Sequence, residues 1–256
     1  MRLDPAAVAA GARLANYDEI ESTNTEALEL ARQGERGPLW IVAGCQTAGR
    51  GRHGRVWTSE PGNLYATLLL TDSAPARHAP ELAFVSAVAL YDAVAEAAPA
   101  LQHRLTLKWP NDLLCDGAKL AGILIEGEGT TIAIGIGVNC RHHPAETAYP
   151  ATDLSACGTA VSPDELMTPL SKAMHARLVQ WAGGAGFSAI RRDWLMRAQA
   201  SGTAIRVRMG DRDLAGRFVG IDDRGYLVLR TTDGTVETIS AGDVFSCGSL
   251  SAATPS

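Results

Sequence analysis

Lysine is scarce in this chain of 256 residues. Three of the 23 basic residues are lysine, at positions 108, 119 and 172, and the other 20 are arginine. Lysine carries a compact point charge and arginine a planar fork, so the two side chains are not interchangeable at a site that holds an anion. The formal net charge of −5 argues against broad electrostatic binding to nucleic acid or to an acidic membrane, although a local basic patch could still bind.

Metal-binding cysteine patterns and long apolar runs are also missing. The five cysteines are widely scattered, no C-x-x-C occurs, and no Cys/His cluster has zinc spacing. Neither a signal peptide nor a run of about 18 apolar residues is present, so no membrane span is predicted. The odd number and scatter of the cysteines favour reduced thiols in a cytoplasmic protein. Since 46% of the residues are apolar, we expect a globular fold with a substantial core.

The pattern of apolar residues predicts a mixed α+β domain followed by a small β domain. The first domain is predicted to contain helices over 23–33, 80–98 and 188–200, two helices that start at Ser162 and after Thr168-Pro169, and strands over 39–46, 64–70, 104–109, 113–115, 119–126 and 130–138. Thr23 and Glu26 have the spacing of a capping box. After residue 202, short strands over 205–209, 214–221, 226–230 and 236–239 suggest a small β-barrel. The predicted domains are therefore 1–200 and 201–250.

A loop rich in glycine and arginine, G-R-G-R-H-G-R at 49–55, follows the first of these strands. It contains a formal G-x-G-x-x-G, but a dinucleotide fold requires a helix directly after it, and Pro61-Gly62 and another strand follow instead. The guanidiniums of Arg50, Arg52 and Arg55 suit phosphate or carboxylate, whose oxygens they can pair bidentately. A solvated surface loop or an RNA-binding segment remains an alternative for this segment taken alone.

Three further segments place polar side chains at strand ends or turns. K-W-P-N-D at 108–112 offers oxygen ligands suited to Mg²⁺, although Asn-Asp is often only a turn. In K-L-A-G-I-L-I-E at 119–126, Lys119 follows a hairpin turn, and Gly122 indicates either close approach of a ligand or a bulge. In G-I-G-V-N at 135–139, Asn139 carries the donor and acceptor needed to read an adenine edge, and a simple turn is the alternative.

The combination of motifs is more specific than any one of them. S-T-N at 22–24, Q-x-x-G-R-G-R-x-G-R at 46–55, Trp57, N-L-Y at 63–65 and the three segments above occur in order. Over residues 18–248 the chain closely resembles the biotin protein ligase family. The resemblance implies a class II aminoacyl-tRNA synthetase-like catalytic domain with a mixed sheet, and a small C-terminal SH3-like β-barrel.

The resemblance also implies a reaction and a set of site residues. Biotin and ATP, with Mg²⁺, would give biotinyl-5′-AMP and pyrophosphate, and the biotinyl group would pass to a lysine of the biotin carboxyl carrier protein of acetyl-CoA carboxylase. Lys119 and Arg52 would be catalytic, and Asn111 and Asp112 would lie near the metal. The implied biotin-binding residues are Ser22, Thr23, Asn24, Gln46, Arg50, Gly51, Arg52, Lys119 and Gly122. The implied nucleotide-binding residues are Arg50, Arg52, Arg55, Trp57, Asn111, Lys119 and Asn139.

A lipoate or octanoyl transferase and a nucleic-acid binder are the rival functions. A lipoate or octanoyl transferase shares the implied fold but lacks the glycine- and arginine-rich loop, and an acidic chain with one short basic loop makes a poor nucleic-acid binder. About 16 residues precede the catalytic pattern, too few for the DNA-binding domain of about 50 residues that many family members carry. We therefore expect no DNA and no membrane as partners, and a homodimer remains open.

Overall fold

Two β-sheets and five α-helices make up the computed structural model, which describes residues 1–73, 75–145, 147 and 149–246. The helices are α1 (Pro5–Ala9), α2 (Thr23–Arg32), α3 (Leu82–Ala97), α4 (Pro163–Trp181) and α5 (Phe187–Arg197). The strands of the first sheet are β1 (Arg13–Ile20), β2 (Leu39–Gln46), β3 (Leu64–Thr71), β4 (Leu105–Lys108), β5 (Asp112–Cys115), β6 (Ala118–Glu128) and β7 (Thr131–Val138). Those of the second are β8 (Ala204–Met209), β9 (Arg212–Ile221), β10 (Leu227–Thr231), β11 (Val236–Ile239) and β12 (Asp243–Ser246).

The large sheet is mixed and has the strand order β1-β2-β3-β7-β6-β5-β4. Strand β1 pairs parallel with β2, and every other pairing in this sheet is antiparallel. Because alternate residues of a strand point to opposite faces, Trp40 and Val42 of β2 join the main core, whereas Leu39 and Ile41 pack in a second cluster with Ala27 of α2. Helix α2 therefore covers one face of the sheet.

The opposite face of the sheet carries the main core. Ten residues of α3 are buried, and this helix packs against α4, α5 and strands β4 to β7. An all-round apolar helix is expected in the middle layer of a fold, where no face meets water, so its prediction as a buried helix is confirmed. No helix within the described ranges is long and apolar enough to cross a bilayer.

The N-terminal cap of α4 agrees with the sequence-based prediction, whereas that of α2 differs from it by one residue. Ser162 caps α4 in a full capping box with Glu165, as its position before Pro163 indicates. At α2 the N-cap is Ser22, whose hydroxyl accepts from Thr25 N, so the predicted capping box of Thr23 and Glu26 is wrong. The shift of one residue frees the Thr23 side chain for contacts outside the helix.

Helix α4 is continuous where the sequence predicts two helices. Pro169 lies inside it without ending it. A proline in a helix interior removes one backbone hydrogen bond and costs about 3 kcal/mol, but here Leu166, Leu170 and Met174 on the same helix are fully buried. Burial of this apolar stripe along the whole length offsets the local penalty.

Strands β1 and β12 do not follow from the sequence pattern, and the predicted barrel is not closed. Strand β1 has no buried residue, so it lacks the alternation that marks a strand. The second sheet has the order β11-β10-β9-β8-β12, and over the described residues no ladder joins its edge strands β11 and β12. The division into 1–200 and 201–250 stays a prediction, and Cys247 and residues 248–250 lie outside the described residues.

Candidate active site

A cavity of about 430 Å³ lies between the end of the large sheet and strand β12 of the small one. Its lining includes every site residue that the motifs indicate: Ser22, Thr23, Asn24, Gln46, Arg50, Gly51, Arg52, Arg55, Trp57, Asn111, Asp112, Lys119, Gly122 and Asn139. These residues are separated by more than a hundred positions in the sequence, and the sheet topology brings them to one place. The volume suits a ligand of the size of a small cofactor.

One end of the cavity is a buried network of uncharged polar groups around the start of α2. Gln46 Oε1 accepts from Thr23 N at 2.8 Å and from Thr23 Oγ1 at 3.1 Å, and Gln46 Nε2 donates to Ser59 Oγ at 2.9 Å. Thr67, fully buried on β3, donates from Oγ1 to Asn24 Oδ1 at 2.6 Å. Such a network holds amide and hydroxyl groups in fixed orientations and can therefore read the donors and acceptors of a neutral polar ring.

Two glycines of β7 leave room for the side chains that face this end. A Cβ on Gly135 would lie 2.4 Å from Asn24 Oδ1, and a Cβ on Gly137 would lie 2.7 Å from the Trp57 ring. Any side chain at either position would displace one of these groups. Trp57 Nε1 is buried and has no hydrogen-bond partner among the described residues, so the indole can donate to a ligand from the cavity wall.

The middle of the cavity holds two lysines around one carboxylate. Strand pairing sets Lys108 opposite Asp112 and Asp112 opposite Gly122, which brings Lys119 close. Lys119 Nζ lies 2.7 Å from Asp112 Oδ1, and Lys108 Nζ lies 3.7 Å from Asp112 Oδ2. Burial lowers the pKa of Lys108. The three groups carry one net positive charge when all are ionised, which favours an anionic ligand.

The three arginines of the loop turn to three different partners. Arg50 donates to Thr25 Oγ1 at 2.8 Å and pairs with both carboxylate oxygens of Glu126 at 3.1 and 3.2 Å. Arg52 donates to Asn111 Oδ1 at 3.3 Å, and its burial lowers its pKa. Arg55 reaches strand β12, where it pairs with Asp243.

Asn139 and Asn111 use their amide groups to hold the cavity wall together. Asn139 is buried and donates from Nδ2 to the Thr152 carbonyl at 3.0 Å. Asn111 donates from Nδ2 to the Ile123 carbonyl at 2.6 Å, which leaves its Oδ1 directed to Arg52. Both side chains line the cavity, so each can present its remaining atoms to a ligand only in the orientation that these bonds fix.

Three residues that contact the site residues do not follow from the sequence motifs. Glu126 stands at the end of a quoted motif and links Arg50 to Asn24, whose Nδ2 donates to Glu126 Oε2 at 2.8 Å. The sequence does offer one indication of this role, because Glu126 is a carboxylate at the end of an apolar strand. Tyr149 and Asp243 line the cavity. Their contacts with Arg55 span 94 and 188 sequence positions. No local pattern could reveal a pairing of that range.

A divalent cation has few protein ligands here. Over the described residues, no three His, Cys, Asp or Glu side chains are grouped closely enough to hold a metal ion. Asp112 Oδ1 is buried, and the ammonium of Lys119 lies 2.7 Å from it. The Asp112 carboxylate beside the Asn111 amide fits Mg²⁺, which takes one or two carboxylates and completes its shell with water and substrate phosphates.

The sequence matches two family models in succession. Residues 17–141 match the biotin/lipoate A/B protein ligase family, and residues 200–246 match the biotin protein ligase C terminal domain. Biotin--[acetyl-CoA-carboxylase] ligase of Paracoccus denitrificans is 43% identical over 237 residues, which cover 88% of this chain and 97% of that protein. The bifunctional ligase/repressor BirA of Bacillus subtilis is 34% identical over 90% of this chain and 73% of its own length.

Solved structures agree with the sequence matches. Biotin protein ligase from Aquifex aeolicus in complex with biotin and ATP has a TM-score of 0.78 at 26% identity, over 91% of this chain and 97% of that one. Biotin protein ligase from Leishmania major in complex with biotinyl-5-AMP has a TM-score of 0.62 at 27% identity, over 90% and 99%. The mixed sheet and the small antiparallel sheet are thus found together in other proteins of known structure.

Proposed function

The chain belongs to the biotin protein ligase family, and from that premise we propose that its cavity makes biotinyl-5′-AMP from biotin and ATP and delivers the biotinyl group to a carrier-protein lysine. The enzyme is a biotin--[acetyl-CoA-carboxylase] ligase. We assign the acceptor to the biotin carboxyl carrier protein of acetyl-CoA carboxylase. The observation that carries these roles is the convergence of Lys119 and Arg52 on Asn111 and Asp112, beside a network of neutral polar groups.

The first step joins two anions. A biotin carboxylate oxygen attacks the α-phosphorus of ATP, a P–O bond forms, and the bond to the β-phosphate oxygen breaks with release of pyrophosphate. Lys119 and Arg52 cancel the repulsion between carboxylate and phosphate and stabilise the negative charge that develops on phosphorus. Burial of Arg52 strengthens this effect because the surrounding dielectric is low.

The neutral polar end of the cavity suits biotin. Its ureido ring has N–H donors and one carbonyl acceptor, and the groups of Ser22, Thr23, Asn24 and Gln46 lie together at the start of α2 and the end of β2. Arg50, Gly51 and Gly122 line the same cavity, and we assign them to the part of biotin between its ring and its carboxylate. The carboxylate of biotin would then lie toward the two cationic groups and its ring toward the amides.

The nucleotide takes the other side of Lys119. Arg52, Trp57, Asn111 and Asn139 are the residues that we assign to ATP and the adenylate, with Arg55 close by. Mg²⁺ held by Asp112 and Asn111 together with the phosphates would neutralise part of the triphosphate charge. Asp112 also keeps the two lysines oriented, because its carboxylate lies between them.

In the second step the ε-amine of the acceptor lysine attacks the carbonyl carbon of the mixed anhydride. An amide bond forms, AMP leaves with the electron pair of the C–O bond, and the amine releases a proton to solvent. The glycine- and arginine-rich loop, residues 49–55, covers the adenylate until the acceptor arrives, and this cover limits hydrolysis by water. Trp57 stands directly after this loop and supplies apolar surface beneath it.

Biotin-dependent exchange of labelled pyrophosphate into ATP tests this function. We expect exchange with biotin and not with lipoate, followed by biotin transfer to one lysine of the carrier domain. Lipoate-dependent exchange would identify the rival transferase class, and the lack of any exchange would leave the nucleic-acid-binding alternative to be tested by RNA binding.

A further inference from the structure

Arg55, at the opposite end of the loop from Arg50, pairs with other side chains of the protein. Its guanidinium pairs with both carboxylate oxygens of Asp243, at 3.3 Å for Oδ1, and donates to Tyr149 Oη at 3.2 Å. Asp243 is the first residue of strand β12 in the small sheet, whereas Arg55 belongs to the loop that follows β2 of the large sheet. These contacts therefore join the two sheets at the wall of the cavity, which Arg55, Tyr149 and Asp243 all line.

Neighbouring groups reinforce the connection. The Arg52 guanidinium donates to the Gly242 carbonyl at 3.3 Å, directly before Asp243 in the chain. The Tyr149 ring stacks on Phe245 of β12 with centroids 5.1 Å apart, and Lys108 Nζ lies 4.6 Å from the centre of the Tyr149 ring. Several independent contacts thus meet at β12, and a chance surface pairing would not produce them together.

Charge favours the pair between Arg55 and Asp243. The Asp243 side chain is 14% exposed and that of Arg55 is 49% exposed. Burial opposes the charge of Asp243, but its hydrogen bonds and attraction to Arg55 outweigh that penalty and lower its pKa. The hydrogen bond from Arg55 likewise raises the pKa of the guanidinium, so both partners are ionised at neutral pH.

We propose that Asp243 and Tyr149 are positioning residues that fasten the loop of residues 49–55 to the small sheet through Arg55, so that this sheet forms part of the cover over the adenylate. The group Arg55, Tyr149 and Asp243 is called the clasp below. This proposal depends on the proposed function only in naming the adenylate as the ligand that is covered. Arg55 then acts by holding the loop, while Arg52, which faces Asn111, contacts the ligand.

A rival role for Arg55 makes opposite predictions. If Arg55 binds phosphate, Asp243 competes with ATP, and Asp243→Asn would lower the KM for ATP. If Arg55 acts through Asp243, the variants Arg55→Met, Asp243→Asn and their combination have the same effect, because each breaks one connection. The double variant therefore separates the two roles.

Limited trypsin digestion without ligands tests the clasp directly, since trypsin cuts after Arg50, Arg52 and Arg55. We expect Asp243→Asn to speed cleavage after Arg52 about tenfold, which corresponds to about 1.4 kcal/mol, and Tyr149→Phe to speed it less. Asp213→Asn is the matched control: this carboxylate lies in the same sheet, 3.3 Å from Arg208 Nε, and does not line the cavity. Unchanged cleavage in Asp243→Asn would overturn the clasp.

The effect of the clasp on the ligand is tested by the rate at which labelled biotinyl-5′-AMP escapes from preloaded enzyme. Asp243→Asn should release the adenylate about tenfold faster while pyrophosphate exchange stays within about threefold of wild type. The charge-reversed pair Arg55→Asp with Asp243→Arg should restore slow release and slow cleavage, which a folding defect would not. A lower KM for ATP without faster escape would overturn the proposal in favour of phosphate binding by Arg55.

The two readouts also separate this inference from the proposed function. If wild-type protein makes no adenylate, the proposed function fails, and the trypsin test still judges the clasp. If wild-type protein makes and retains the adenylate but Asp243→Asn retains it equally well, the clasp alone is refuted.

Discussion

Replacing Lys119 with arginine should slow adenylate formation strongly although the charge is kept. Lys119 Nζ lies 2.7 Å from Asp112 Oδ1 and 5.4 Å from the centre of the Trp57 ring. The same atom would lie only 3.2 Å from a Cβ placed on Gly122. An ammonium fits this space because it is compact, whereas a guanidinium is longer and wider and must displace the indole or the β6 backbone.

The size of the loss follows from the charge. A unit charge about 4 Å from the reacting phosphate is worth about 4 kcal/mol at an effective dielectric constant of about 20. Lys119→Met removes all of this and should slow adenylate formation by about a thousandfold. Lys119→Arg moves the charge away from its optimal place, and we expect a loss of about a hundredfold, or about 2.7 kcal/mol.

The assay is the initial rate of biotin-dependent pyrophosphate exchange at saturating biotin and ATP. Lys172→Arg is the matched control, since Lys172 is exposed on α4 and pairs with Glu96 at 3.0 Å, outside the cavity. It should exchange at the wild-type rate. If Lys119→Arg stays within about threefold of wild type, Lys119 is an ordinary hairpin residue and its catalytic role is refuted.

Two further predictions concern the polar end of the cavity and the buried thiols. Gly135→Ala places a Cβ 2.4 Å from Asn24 Oδ1. It should raise the KM for biotin about five- to 150-fold, because displacing the amide costs about 1–3 kcal/mol. An unchanged KM for biotin in pyrophosphate exchange would contradict this prediction. Burial raises the pKa of the Cys140 thiol from 9.0 to about 12, so its contribution to stability is complete below pH 9 and is lost as the pH rises from 9 to about 12. The free energy of urea unfolding should therefore fall between pH 8 and pH 10 by roughly 1 kcal/mol less in Cys140→Ala than in the wild type. An equal fall in both proteins would refute this assignment.

The sequence anticipates the site wherever a short segment carries its own chemistry. Gln46 and the loop after it, Lys108 to Asp112, and the glycines of β7 can each be read locally, since strand ends and turns expose polar groups. The cavity contains all of these segments. The roles of the individual residues in these segments stay predictions.

Contacts that depend on the placement of the small sheet could not be read from the sequence. Asp243 stands in a Gly-Asp pair that looks like one more turn, and its partner Arg55 is 188 positions away. Strand β1 was missed for a related reason: it has no buried residue, and its pairing with β2 is what makes it a strand. Such elements are fixed by tertiary pairing, which overrides local pattern.

The scarcity of lysine acquires a physical explanation from the geometry around Asp112. Strands β4, β5 and β6 are neighbours, so Lys108 and Lys119 approach one carboxylate from two sides. Lys108 is only 8% exposed, and two compact ammonium groups can share this space where two guanidiniums would collide. Lys172 meets no such limit on the helix surface. In a chain that otherwise uses arginine, the two lysines of the cavity are therefore retained by size as well as by charge.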